Sequence, residues 1–94
     1  MSKKARFIKC MDFSNSNIER VQKLYRLDKP TPSPRGPVRY IVISAVRSEG
    51  LGIEETLVFS ADYTGRITSW LALAGFRNTV NHSEVLERIG YVLS

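Results

Sequence analysis

Residues Val38 to Arg47 (VRYIVISAVR) constrain the fold more than any other part of the chain. β-Branched and aromatic residues dominate the run, as a strand requires. Tyr40, Ile41, Val42, Ile43, Ala45 and Val46 place apolar groups on both sides of the alternation, so both faces need cover. A central strand meets that demand. Residues 66 to 76 or a second subunit would close the second face.

Other segments arrange themselves around this run. Glu55 to Ala61 (ETLVFSA) is β-rich and pairs with it as a hairpin across SEGLGIE. Ala5 to Phe13 (ARFIKCMDF) reads as a strand, with Phe7, Met11 and Phe13 on one face and Ile8 and Cys10 on the other. Lys9 interrupts the first face, which suits an edge. The next segment, SNSNIERVQKLYRL, reads as a helix. Ser16 and Glu19 have capping-box spacing, and Ser14 is a rival cap that lets Phe13 staple onto Ile18. Ile18, Val21, Leu24 and Tyr25 then form one helical stripe. All four prolines fall between Lys29 and Pro37, in an extended, exposed connection of polyproline II character.

Asp62-Tyr63-Thr64-Gly65 reads as a turn, with Gly where φ is positive. Arg66 to Leu73 is ambiguous, fitting the start of a third meander strand that ends as a short helix capped by Ser69 and closed by Gly75, and Phe76 to Val80 is loop. Asn81 and Glu84 form a capping box, Val80 and Val85 a staple, and Gly90 ends this last helix as its C′ residue. Val92 and Leu93 add a final short strand or pack across the helix end. The order β, α, β, β, short irregular unit, α predicts one α+β domain over residues 1–94. It would hold a small, mostly antiparallel sheet of three to four strands and two main helices. Residues 1–4 would form a flexible basic N-terminus, and residues 29–37 an exposed proline-rich loop.

Charge is divided along the chain. Met1 to Arg47 carries eleven basic residues against three acidic ones, and Ser48 to Ser94 three against six. Such asymmetry speaks of partners rather than fold. Lys3 and Lys4 begin the basic half. Arg20, Lys23 and Arg26 lie off the apolar stripe of the expected helix, and Arg35 sits in the proline loop. Together they would form a basic binding face. Phe7, Tyr25 and Tyr40 fall on core-periodic positions. Tyr63 in the turn and Trp70, the only tryptophan, are the candidate interface anchors.

Chemistry-bearing residues are sparse. Cys10 is the only cysteine, reads as a buried small hydrophobe and excludes an internal disulfide. His82 is the only histidine and is expected to face solvent in the first turn of the last helix. A lone His without Cys or a carboxylate cluster makes no metal site, and no phosphate-binding Gly-rich loop with its Lys occurs. The expectation is a non-enzyme with neither cofactor nor metal. No apolar run approaches the ~20 residues of a membrane span, and no signal-peptide-like stretch follows the first residues, so the expected location is cytoplasmic.

ETLVFSADYTGRITSWLALAG followed by NHSEVLERIGY resembles a pattern in small proteins of bacteriophage and prophage genomes. The likeness rests on Phe59, Ala61, Asp62, Gly65, Trp70, Gly90 and Tyr91 and covers the second half of the chain. It implies a phage-related accessory protein of unknown function and transfers no site. Composition, charge and resemblance together lead to a small binding module that docks on a host or phage macromolecule through a protein partner. The alternative is a nucleic-acid-binding protein that sets its basic half against phosphates; a homodimer is compatible with both.

Overall fold

The two-faced run takes the middle of a six-stranded sheet. In the computed structural model, which describes residues 3–77 and 81–94, the chain forms β1 (Lys3–Asp12), β2 (Glu19–Thr31), β3 (Val38–Ser48), β4 (Ile53–Ala61), β5 (Ala74–Arg77), α1 (His82–Arg88) and β6 (Tyr91–Leu93). The sheet order is β5-β4-β3-β2-β1-β6, and the sheet curls into a half-barrel. All neighbours are antiparallel except β1 and β6, which α1 connects back in parallel to the edge.

This overturns the expected α+β layout. The sheet has six strands rather than three to four, and α1, seven residues long, is the only helix among the described residues. The segment that reads as the first helix is strand β2. Ser14, the rival cap, and its neighbour Asn15 build the β1–β2 hairpin turn instead: Asn15 Oδ1 accepts from the N–H groups of Asn17 (2.8 Å) and Ile18 (2.9 Å), and Ser14 Oγ accepts from Arg20 N (2.9 Å). Ser and Asn satisfy backbone N–H groups equally well at a helix start and in a turn, so the capping signal is ambiguous. Packing decides between them. A helix would bury one stripe, whereas the strand buries Tyr25 and Leu27 on one sheet face and Leu24 on the other. It also pairs its backbone with β1 and β3 at once.

Each face has its own core. On the helix face, Val85 and Leu86 of α1 pack with Tyr25, Leu27, Ile41, Ile43, Val58 and Tyr91. On the opposite, turn face, Leu24, Val42 and Ala61 form a smaller cluster with Met11, Tyr40 and Ile67. Ile67 belongs to the segment that follows β4, so residues of this same chain cover the second face of β3, one of the two expected solutions. Asp62 shapes that segment, with Oδ1 accepting from the N–H groups of Thr64 (2.9 Å) and Arg66 (3.1 Å). The expected turn follows, with Gly65 at φ 94°. Beyond an isolated bridge between Ala61 and Ile67, residues 68–73 form neither strand nor helix. Ala74–Arg77 pairs with β4, although the sequence reads as loop from Phe76.

The register of β1 shifts between Phe7 and Lys9. Ile8 is the extra residue of this bulge, two residues on β1 answering one on β2. Phe7 lies opposite Tyr25 on the helix face, and Lys9 opposite Leu24 on the turn face. The expected grouping of Phe7 with Met11 therefore fails: the bulge sends Phe7 and Cys10 to the helix face and Lys9 and Met11 to the turn face. The proline segment divides: Lys29–Thr31 completes β2 across an irregular register, and the remainder turns the chain into β3 with Gly36 at φ 112°. Proline suits such an irregularity because it donates no ladder hydrogen bond.

The last helix forms as its sequence requires. Asn81 caps it, accepting from Glu84 N at 3.1 Å, and Gly90 leaves it at φ 95°. Val80 of the expected staple lies outside the described residues. Tyr91 is fully buried, and its hydroxyl donates to the Lys29 carbonyl at 2.6 Å, tying β6 to the end of β2. No helix among the described residues is long and apolar enough to cross a membrane.

Candidate functional site

Strand alternation sorts the basic residues by face, and five of the eleven first-half cations, Lys4, Arg6, Lys9, Arg20 and Arg26, fall on the turn face. Arg6 stands directly opposite Arg26, and Arg26 directly opposite Tyr40. Residues opposed in a ladder place their Cβ atoms ~5 Å apart on one face. Arg6, Arg26 and Tyr40 thus form one row across three strands, ending at Ala61 on β4. Lys9 joins in the next row, opposite Leu24, with its side chain against Gly65 of the turn: a Cβ placed on Gly65 would sit 2.9 Å from Lys9 Cε. Lys4 precedes Arg6 by two residues on the same side of β1. Lys4, Arg6, Lys9 and Arg26 are all exposed.

None of these four cations has an ion-pair partner among the described residues. The two ion pairs found there lie elsewhere, Arg47–Glu49 at 3.4 Å and Arg88–Glu84 at 2.6 Å. Asp28 is two residues from Arg26, and its Oδ1 accepts from the Lys4 backbone N–H at 2.8 Å. Two guanidiniums opposed without a carboxylate repel one another, which folding alone does not favour.

The other expected binding residues fall in different places. Arg20 is on the turn face but at its far end, in a row with Val46, Glu55 and Arg77. Lys23 turns to the helix face, opposite Ile43 and beside His82. Lys3 also leaves the basic row and lies over the Tyr91 ring, with Nζ 4.9 Å from the centroid. Arg35 lies in the loop between β2 and β3, in the wall of a cleft. Helical spacing groups Arg20, Lys23 and Arg26, and the strand period of two separates Lys23 from the others. Arg6 and Lys9, which the sequence reading counts in the basic cluster of the first strand but not among its six chosen binding residues, stand in or next to this row. Strand periodicity combined with the bulge is the signal that finds them.

Both aromatic anchors are exposed. Tyr63 and Trp70 are each 74% accessible. Trp70 meets the buried Phe59 edge-on, with ring centroids 5.5 Å apart. Phe59 lies opposite Val42 on the turn face, so Trp70 stands over the β4 side of the face whose β1–β2 side carries the cations. Tyr63 is in the turn that reaches Lys9 through Gly65.

Two sequence expectations change on the helix face. Cys10 is exposed rather than buried, because β6 covers only Lys3–Ala5 of β1. His82 is buried rather than solvent-facing, at 9% exposure, and its Nδ1 has no hydrogen-bond partner. Burial first, and then the charge of Lys23, push its pKa down to about 4, so the ring is neutral at pH 7. Burial likewise pushes Tyr25 up to about 12, with the Cys10 thiolate charge adding to it. Among the described residues no group of three or more His, Cys, Asp or Glu side chains gathers as a metal site would need.

Comparison with known proteins leaves these observations to stand alone: no family model matches the chain, and neither a curated protein nor a solved structure matches it.

Proposed function

We propose that the turn face binds single-stranded nucleic acid, with Lys4, Arg6, Lys9 and Arg26 neutralising phosphates and Tyr63 and Trp70 offering rings for bases to stack on. The observation that carries this reading is the Arg6–Arg26 pair, two exposed cations held opposite each other with no ion-pair partner among the described residues. A polyanion relieves that repulsion and releases its own counterions on binding. The exposed rings on the same face supply what a bare basic patch lacks, since stacking is available with any base. This arrangement suits sequence-tolerant binding, because it presents positive charge and π faces rather than a fixed set of base-edge donors and acceptors.

The test is direct because Trp70 is the only tryptophan. The full chain is titrated with oligo(dT) and oligo(rU) at several salt concentrations, following Trp70 fluorescence, with duplex DNA as competitor. The expected result is quenching by the single strands and an affinity that falls linearly on a log–log salt plot. Oligonucleotides that leave Trp70 unperturbed at low salt, or duplex that competes on equal terms, overturn the reading.

A further inference from the structure

The row of Arg6, Arg26 and Tyr40 ends at Ala61, and Ala61 lines a cleft of mixed apolar and polar walls at the end of β3 and β4. That cleft, about 590 Å³, separates the proline loop from residues 68–73. Its volume lies within the range of small-ligand sites. Arg35 and Arg39 line it together with the hydroxyl residues Ser33, Ser60, Thr68 and Ser69 and with the apolar Val38, Leu71 and Leu73; none of its described lining residues is acidic, and Ser60, opposite Ile41, puts its hydroxyl around the sheet edge from the basic row.

The hydroxyls are arranged with donors to spare. Thr68 Oγ1 donates to Ser60 Oγ at 3.0 Å, which leaves the Ser60 O–H free to donate elsewhere. Ser69 Oγ accepts from Leu71 N at 3.3 Å and keeps its own O–H. Arg39 Nη1 makes a long hydrogen bond, 3.5 Å, to the Asp28 carbonyl, so only part of its donor fork is engaged. Arg35 is exposed and takes part in no ion pair among the described residues. Two guanidiniums and two hydroxyl donors around one cleft match an anion with several acceptor oxygens and a charge beyond −1.

We infer that this cleft takes a phosphate monoester, the phosphorylated end of a strand lying on the basic row. The inference rests on the proposed nucleic-acid reading for the strand itself. A monoester carries about −1.5 to −2 charge at pH 7 and three acceptor oxygens, whereas an internal phosphodiester carries only −1. Planar guanidinium forks recognise such oxygens bidentately. An internal phosphate can be held on the open row; a terminal one can enter the cleft.

Oligo(dT) strands with a 5′-phosphate, a 3′-phosphate or hydroxyls at both ends are compared for binding to the full chain. A second arm titrates thymidine monophosphate and follows backbone amide shifts. The expected result is about tenfold tighter binding of one phosphorylated strand, with shifts at Ser60 and Thr68. Arg35→Gln and Arg39→Gln each bring that strand down to the level of the hydroxyl-ended one. Arg35→Gln alters only an exposed loop side chain, so its result does not depend on refolding.

Response to the free mononucleotide without any preference among strands overturns the strand-end assignment and gives the cleft to free phosphate monoesters. Equal affinity for all strands with no mononucleotide response overturns the cleft altogether, while salt-dependent strand binding continues to support the turn face. A mononucleotide response with no strand binding overturns the face reading and leaves the cleft as a site for small phosphate monoesters.

Discussion

Arg6 of β1 and Arg26 of β2 are direct cross-strand partners, and neither has an ion-pair partner among the described residues. Function and stability make opposite demands on such a pair. Like charges directly opposed in a ladder are destabilising. Arg26→Gln is therefore expected to raise the thermal midpoint slightly, by up to about 1 kcal/mol of stability, while weakening oligonucleotide binding. The slope of log affinity against log salt should become shallower by about 0.7 for each phosphate that is no longer neutralised. Paired melting curves and salt titrations of Arg6→Gln, Arg26→Gln and the double variant check both signs; a loss of stability with unchanged binding would contradict the assignment.

Trp70 separates the same two quantities. Its ring is largely exposed and rests on Phe59 through an edge contact. Trp70→Ala should change stability by no more than about 1 kcal/mol, the scale of one aromatic pair. Removing the ring on which a base stacks should weaken single-strand binding by about 1–3 kcal/mol. Chemical denaturation and anisotropy of a labelled oligonucleotide measure the two effects independently.

His82 makes the fold sensitive to mild acid. Its folded pKa of about 4 lies below the ordinary 6.5, so the unfolded chain binds the proton first. The associated stability is fully present above pH 6.5 and is lost as pH falls toward about 4. With allowance for solvent screening the loss is on the order of 1–2 kcal/mol. Asp12 and Asp62 act elsewhere: their pKa values lie below the ordinary 3.8, held there chiefly by hydrogen bonds from Ser14 and Thr64, so their contributions persist to lower pH. Urea midpoints between pH 7 and pH 4 should decline in the native chain and decline less in His82→Leu.

The two cores should fail separately but to similar extents. Leu24 and Ile43 are both fully buried, one on each face of the sheet. Truncating either to Ala should cost about 2–5 kcal/mol. A much smaller effect for Leu24→Ala would mean that the turn segment contributes little cover. Denaturant titration with an unchanged m-value decides this.

Gly65 couples the turn to the basic row. Its φ of 94° disfavours any side chain, and an added Cβ would meet Lys9 Cε at 2.9 Å. Gly65→Ala should destabilise the chain by about 1–2 kcal/mol, mostly from the backbone, because the end of the Lys9 side chain can move aside. Thermal unfolding alongside an oligonucleotide titration shows how far the displaced Lys9 matters for binding.

The legible parts of this fold are those fixed by local chemistry. The alternation of β3, the β3–β4 hairpin, the Asp62–Gly65 turn and the Asn81–Gly90 helix all follow from residues close in sequence. Misreading centres on β2, where Ser14, Ser16 and Glu19 mimic a helix start and Ile18, Val21, Leu24 and Tyr25 mimic a stripe. Long-range pairing with β1 and β3 overrides both signals, and no local window contains that information. The site inherits the error: helical spacing groups Lys23 with Arg20 and Arg26, whereas the strand sends Lys23 to the helix face. Exposed Tyr63 is legible because the turn chemistry around it is legible, whereas Trp70 sits in a segment that reads as strand and short helix and forms neither.

The single extra residue in β1 has a consequence beyond phase. Only Lys3–Ala5 of β1 is capped by β6, so from Arg6 onward the strand is an outer rim with backbone groups available to another chain. A straight rim with Phe7, Ile8 and Phe13 exposed would serve as a template for end-to-end propagation. The distortion at Ile8, followed at once by the charge of Lys9, breaks the regular comb of donors and acceptors that a new strand must match. Deleting Ile8 would keep Lys9, Cys10 and Met11 on their present faces and straighten the rim. That would remove one of the rim's two protections and leave the charge of Lys9 as the other.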